Sequence, residues 1–229
     1  MDVVLILLLA SLPFAAKAAT LWLGLTGYFA QSAYKVLQLA IPLGWRFFRR
    51  KQGCSVAIPT QRRFPFVRWL NLGVLLAFVF AGSAIAAILF LGPSFGLHRE
   101  VLRKAFDTRF DVSPAAAVAV VLFLSSANAA LEELHFRVWL DRELTKRLGN
   151  ILGVGISALA FGSMHAFILV GLPGIRPEAI VAMGAGLTLA GTCWSILLRR
   201  AGGVYAAWLS HGLTDVILLT WGLFWLGYL

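Results

Sequence analysis

Charge is scarce in this chain, and negative charge scarcest. Only 13% of its 229 residues are charged, with 10 Asp+Glu against 20 Lys+Arg and a formal net charge of +10. Soluble domains carry about a quarter charged residues. Hydrophobic residues make up 60%, more than a water-soluble core of this length can hide, so the surplus must face lipid. That balance excludes disorder, collagen and coiled coil. Cysteine is almost absent: Cys54 and Cys193 lie far apart, with neither disulfide-scaffold nor metal-site spacing, and read as unpaired thiols. No pattern of a nucleic-acid-binding module appears. The excess cations are concentrated instead: Arg46, Arg49, Arg50, Lys51, Arg62, Arg63 and Arg68 share one acid-free stretch between apolar runs. Such a block reads as a cytoplasmic loop between membrane spans, with no nucleic-acid partner.

What is present is a series of apolar runs, expected to form one all-α, polytopic transmembrane helix bundle of six to seven spans across residues 1–229. Residues 1–45 hold the N-terminal span or spans, interrupted only by Lys17 and Lys35. The apolar character continues past any signal-peptide length, and the run reads as retained membrane helix, either one long tilted span or a pair. Residues 46–68 form the basic cytoplasmic loop, and Trp69–Leu91 is a plain lipid-type helix ended by Gly92-Pro93. In 94–111, Leu102, Phe106 and Phe110 recur every four residues among cations, the pattern of an interfacial amphipathic helix. Further spans are expected at Pro114–Leu140, Gly149–Leu172, Glu178–Leu198 and Val204–Leu229, with 141–147 as a short charged turn. The stripe Gly149/Gly153/Ser157 suits close helix packing. Loops at 46–68, 141–147 and 199–203 are basic and those at 93–113 and 173–178 nearly balanced, which places the first set in the cytoplasm.

Within the later runs stand residues that hydrocarbon does not tolerate alone. Glu132, Glu133, His135 and Arg137 share one span, His165 lies in the next, and His211 and Asp215 lie in the last. A charge at the bilayer centre costs about 2.5–3.5 kcal/mol on insertion scales, so these groups must partner one another or line a wet cavity. Glu133 and Arg137 are i,i+4 in the acid-first order of an ion pair. Glu132, turned about 100° away, stays free for general-base work. His211 and Asp215 are also i,i+4, so the carboxylate can orient the imidazole. His135 and Asn128 flank Glu132 one turn away on either side; Asn128 reads as a helix–helix hydrogen bond, and His135 as a lesser candidate. Three helices are thus expected to turn ionisable groups toward one pocket.

Glu132-Glu133-x-x-x-Arg137, Phe161-x-x-x-His165 and His211-x-x-x-Asp215, in that order and each in its own span, resemble the three motifs of the CAAX-protease and bacteriocin-processing (CPBP, or ABI) family of intramembrane endopeptidases. The similarity covers roughly residues 114–220, the expected catalytic core. The resemblance implies that Glu132 and His165 activate a water, that His211 and the residue at 215 stabilise the oxyanion, and that Glu133 and Arg137 form a structural ion pair. An ionised Asp cannot donate to an oxyanion, so Asp215 is read as holding His211. Two histidines with carboxylates could instead form a tetrahedral zinc site, but no His-Glu-x-x-His helix is present, and a glutamic mechanism without metal or cofactor is favoured.

The expected partners are a membrane-anchored protein or peptide substrate and the bilayer itself. The resemblance admits several substrates: the C-terminal sorting anchor of an exported protein, which we favour, a prenylated CAAX-type tail, or a bacteriocin-related precursor. The expected location is a bacterial inner (cytoplasmic) membrane. A rival from another class is a non-enzymatic scaffold or proton-coupled transporter using the same groups as a relay, though no repeated halves with broken helices are evident.

Overall fold

The computed structural model describes residues 3–25, 32–51, 66–110, 114–170, 172 and 174–229. Most of the basic loop, with Cys54, Arg62 and Arg63, lies outside them. The described residues form helices and no strand: α1 Val3–Trp22, α2 Lys35–Lys51, α3 Phe66–Phe90, α4 Arg99–Phe110, α5 Pro114–Phe123, α6 Ala129–Glu132, α7 Arg142–Ala166, α8 Pro177–Ala201 and α9 Tyr205–Leu226. Wider π turns, Leu124–Asn128 and Glu133–Asp141, join α5 to α6 and α6 to α7.

Among the described residues, five helical stretches are long and apolar enough to cross a membrane: Val3–Thr20, Val67–Phe90, Ala116–Leu169, Pro177–Ala201 and Tyr205–Leu226. The third has 54 residues, about 80 Å of helix against a hydrocarbon core of about 30 Å. It must therefore double back, and it does so at Gly149 (φ 81°, ψ 170°), a backbone conformation open only to glycine. Beyond the bend Ser157 Oγ donates to the Phe136 carbonyl at 2.7 Å, and the Phe136 and Phe161 rings meet at 5.2 Å, so the two arms lie side by side. Counted as two passes, this stretch brings the candidate crossings among the described residues to six; the 17-residue α2 is not one of them.

The expected turn at 141–147 is therefore corrected: these residues are helical, and the reversal comes at Gly149. Their charges are met along the helix, where Lys146 and Arg147 reach Glu143 at 2.7 and 3.0 Å. From the end of α8, Arg199 donates to Asp141 and, at 2.8 and 2.9 Å, to Thr145 and Asn150. Gly149 thus leaves the proposed packing stripe, whereas Gly153 keeps its place: a methyl there would fall 2.5 Å from Thr145 Cα.

The 141–150 and 199–203 connections share one end of the bundle. Arg199 ties the basic 199–203 end to the 141–150 bend, while at the other end of α8 the Arg176 N–H donates to the Phe95 carbonyl at 3.1 Å. On that same side Arg103 donates to the Leu226 carbonyl at 2.9 Å, and the Tyr228 hydroxyl donates to Asp107. Phe106 of α4 rests on Ala117, Val121 and Leu223, so its apolar stripe meets the bundle.

The N-terminal run resolves into two separate helices, α1 and α2, both packed on the motif-bearing region. Phe14 meets Phe167 at 4.9 Å, Trp45 meets Trp139 at 6.1 Å, and buried Gln38 reaches Met164 Sδ at 3.5 Å. The core they share also contains Ile6, Phe161 and Trp194.

Candidate active site

The site begins where helix winding loosens. Ser125 and Ser126 donate their hydroxyls to the Val121 and Leu122 carbonyls, competing with the backbone for acceptors, and the wide Leu124–Asn128 turn forms there. α6 then delivers Glu132 and the following π turn Glu133, both fully buried. Arg137 Nη1 lies 3.5 Å from Glu133 Oε1, and neither side chain reaches the surface. The guanidinium also sits over the Phe161 ring at 4.2 Å and the Trp194 ring at 5.2 Å, favourable cation–π positions.

α7 and α9 bring the imidazoles to the same carboxylate. His165 Nε2 lies 3.3 Å and His211 Nε2 3.6 Å from Glu132 Oε2. This approach depends on Gly212, because a methyl at that position would fall 2.3 Å from the Ser125 carbonyl oxygen. The His211 ring stacks on Trp194 (centroids 4.2 Å, planes 14° apart), and Trp194 Nε1 donates to Ser210 Oγ at 3.0 Å.

Each ring has one nitrogen committed elsewhere. His165 Nδ1 is 2.9 Å from the Phe161 carbonyl and must donate to it, which leaves Nε2 to face Glu132. His211 Nδ1 is 2.9 Å from Glu133 Oε1, so Glu133 joins Arg137 to His211. Asp215 Oδ2 approaches the other nitrogen, Nε2, at 3.6 Å. Three carboxylates therefore surround this imidazole, Glu133 at Nδ1 and both Asp215 and Glu132 at Nε2. Glu132 and His211 are sealed, whereas the side chains of His165 and Asp215 remain 27% and 25% exposed, so the cluster opens along their edge.

The residues singled out from sequence thus converge, and two further ones join them. Lys35 Nζ, from α2, lies 3.4 Å from Glu132 Oε1 and donates to Asn128 Oδ1. Asn128 in turn donates from Nδ2 to Glu132 Oε1 at 3.0 Å, so it serves the glutamate as well as bridging helices. The available signal for Lys35 was a cation within an apolar run. His135 stands apart: its Nδ1 meets the Gln38 carbonyl at 3.2 Å, and its ring lies between Phe136 and Trp139. Among the described residues no group of three or more His, Cys, Asp or Glu is arranged to hold a metal ion.

Ionisable groups thus converge inside membrane-length helices, where they need one another or water. Residues 114–217 match the family described as Rce1-like, type II CAAX prenyl endopeptidase. Over that segment the chain is similar to this family, in agreement with the motif resemblance, and the match indicates an intramembrane protease acting on a protein substrate in a lipid setting. With its apolar helices, the chain is an integral membrane protein. No curated protein and no solved structure matches it. Glu132, Glu133, Arg137, His165, His211 and Asp215 all fall within the matched segment; Lys35 does not.

Proposed function

We propose that the protein is a glutamic-type intramembrane endopeptidase that hydrolyses a peptide bond near the membrane surface, with Glu132 as the base. The supporting observation is the position of Glu132 Oε2, 3.3 and 3.6 Å from the Nε2 atoms of His165 and His211. A water beside Oε2 donates one hydrogen to Glu132 and the other to His165, leaving an oxygen lone pair free for the scissile carbonyl. Glu132 takes the proton as the C–O bond forms, then passes it to the amide nitrogen as the C–N bond breaks. His211, with Nδ1 donating to Glu133, offers an N–H at Nε2 only as imidazolium, the form suited to the oxyanion. Three carboxylates here (Glu132, Glu133, Asp215) face the cations of Lys35 and Arg137, and that imidazolium balances the buried charge.

The mechanism is metal-free. The Lys35 ammonium already lies 3.4 Å from Glu132 Oε1, where a divalent cation would be repelled. For substrate, we favour the C-terminal sorting anchor of an exported protein in a bacterial inner membrane. The family match favours a second substrate, a lipidated CAAX-type tail. Both are tested with the purified protein in nanodiscs and two quenched fluorescent peptides, one ending in a prenylated CAAX sequence, the other in an apolar helix with a basic tail. The wild type is expected to cut one of them, and Glu132→Gln, at equal protein level, neither. Equal cleavage by Glu132→Gln removes the proposed mechanism.

A further inference from the structure

The two oxygens of the Glu132 carboxylate have different surroundings. Oε1 accepts from Asn128 Nδ2 at 3.0 Å and faces Lys35 Nζ at 3.4 Å. Oε2 is buried, has no hydrogen-bond partner among the described residues, and faces the two imidazoles. Lys35 also donates to Asn128 Oδ1, closing a three-membered clamp of ammonium, amide and carboxylate. Its ammonium lies over the Tyr34 ring at 5.0 Å, and its side chain is only 12% exposed. A long, flexible lysine is thereby held in place from several sides.

We propose that Lys35 is a positioning residue for Glu132: from α2, outside the family-matched segment, it fixes Oε1 together with Asn128 so that Oε2 is the oxygen presented to water and substrate. This rests on the protease reading for its catalytic consequence, though the clamp itself does not. A free carboxylate can rotate and exchange its oxygens. One pinned by two donors at Oε1 keeps a single edge toward His165 and His211, and geometric error of about 1 Å costs up to about 10²-fold in rate. The bland alternative is an ion pair that merely neutralises a buried charge. The two differ in what they predict: a lost neutralising charge moves the kcat–pH profile along the pH axis, whereas a misplaced carboxylate lowers kcat at the plateau of that profile, where kcat is compared.

The full-length protein in nanodiscs, carrying Lys35→Met or Lys35→Arg, tests this with two readouts. On whichever of the two peptides the wild type cuts, Lys35→Met lowers kcat about 10–100-fold with KM within about threefold, and Lys35→Arg recovers kcat to within about tenfold. Independently of cleavage, infrared spectra resolve the Glu132 carboxylate stretch by its disappearance in Glu132→Gln, and that band shifts in Lys35→Met. An unmoved band, an unchanged kcat, or a loss confined to KM overturns the proposal. If Lys35→Met does not assemble, Lys35→Arg carries the test, since its guanidinium must shift the band while kcat stays within about tenfold. Should the wild type cut neither peptide, the protease reading loses its support while the band still decides the clamp.

Discussion

His211 Nδ1 lies 2.9 Å from Glu133 Oε1, and the same oxygen lies 3.5 Å from Arg137 Nη1. Glu133 therefore holds two groups at once, a structural cation and an imidazole of the site. The i,i+4 spacing of Glu133 and Arg137 shows only the first. The second depends on α9 lying against the π turn, which no spacing along the chain reveals.

Removal of the imidazole should be costly. His211→Ala is expected to lower kcat by about 10²–10³, the loss typical of one oxyanion donor. Asp215→Asn keeps the Glu133 contact at Nδ1, so its kcat should fall by less than about tenfold. Steady-state kinetics on the cleaved peptide checks the order of the two, and equal losses would contradict it.

The sealed ion pair makes a stability prediction. Arg137→Met leaves the buried carboxylate of Glu133 with the His211 contact but without its cation and is expected to destabilise by about 3–5 kcal/mol. In the double variant Glu133→Gln/Arg137→Met much of that loss should return. Thermal unfolding in detergent measures both; an additive result would show that the pair is not coupled.

Helix contact makes another. At Gly212 an added methyl meets the Ser125 backbone oxygen at 2.3 Å, whereas at Gly186 it meets nothing within 4 Å. Gly212→Ala should cost about 1–3 kcal/mol through overpacking, and it should also lower kcat by moving His211 away from Glu132. Gly186→Ala should stay within about 0.5 kcal/mol.

Metal dependence is checked directly. Activity should survive exhaustive treatment with a membrane-permeant chelator. Loss of activity restored by added zinc would replace the glutamate mechanism with a metal-centred one.

Much of the cluster was legible because hydrocarbon makes an ionisable residue conspicuous. Glu132, His165 and His211 stand out in apolar runs for that reason, and the structure brings them together. Lys35 carried the same signal but had no acid one turn away on its own helix, and its partner lies about a hundred positions downstream. The bend at Gly149 was hidden for the opposite reason: the charges at 141–147 look like a loop, yet pair along a helix. The amphipathic pattern of residues 94–111 identified α4, but periodicity could not reveal that Phe106 rests on α5 and α9 rather than on lipid alone.

The contact between Lys35 and Glu132 also sets the boundary of the unit that could be transplanted. A chimaera that joins residues 114–217 to a foreign N-terminal half would carry over the acid and both imidazoles while leaving behind the ammonium beside them. Sequence similarity over the inherited segment would give no warning of the missing part.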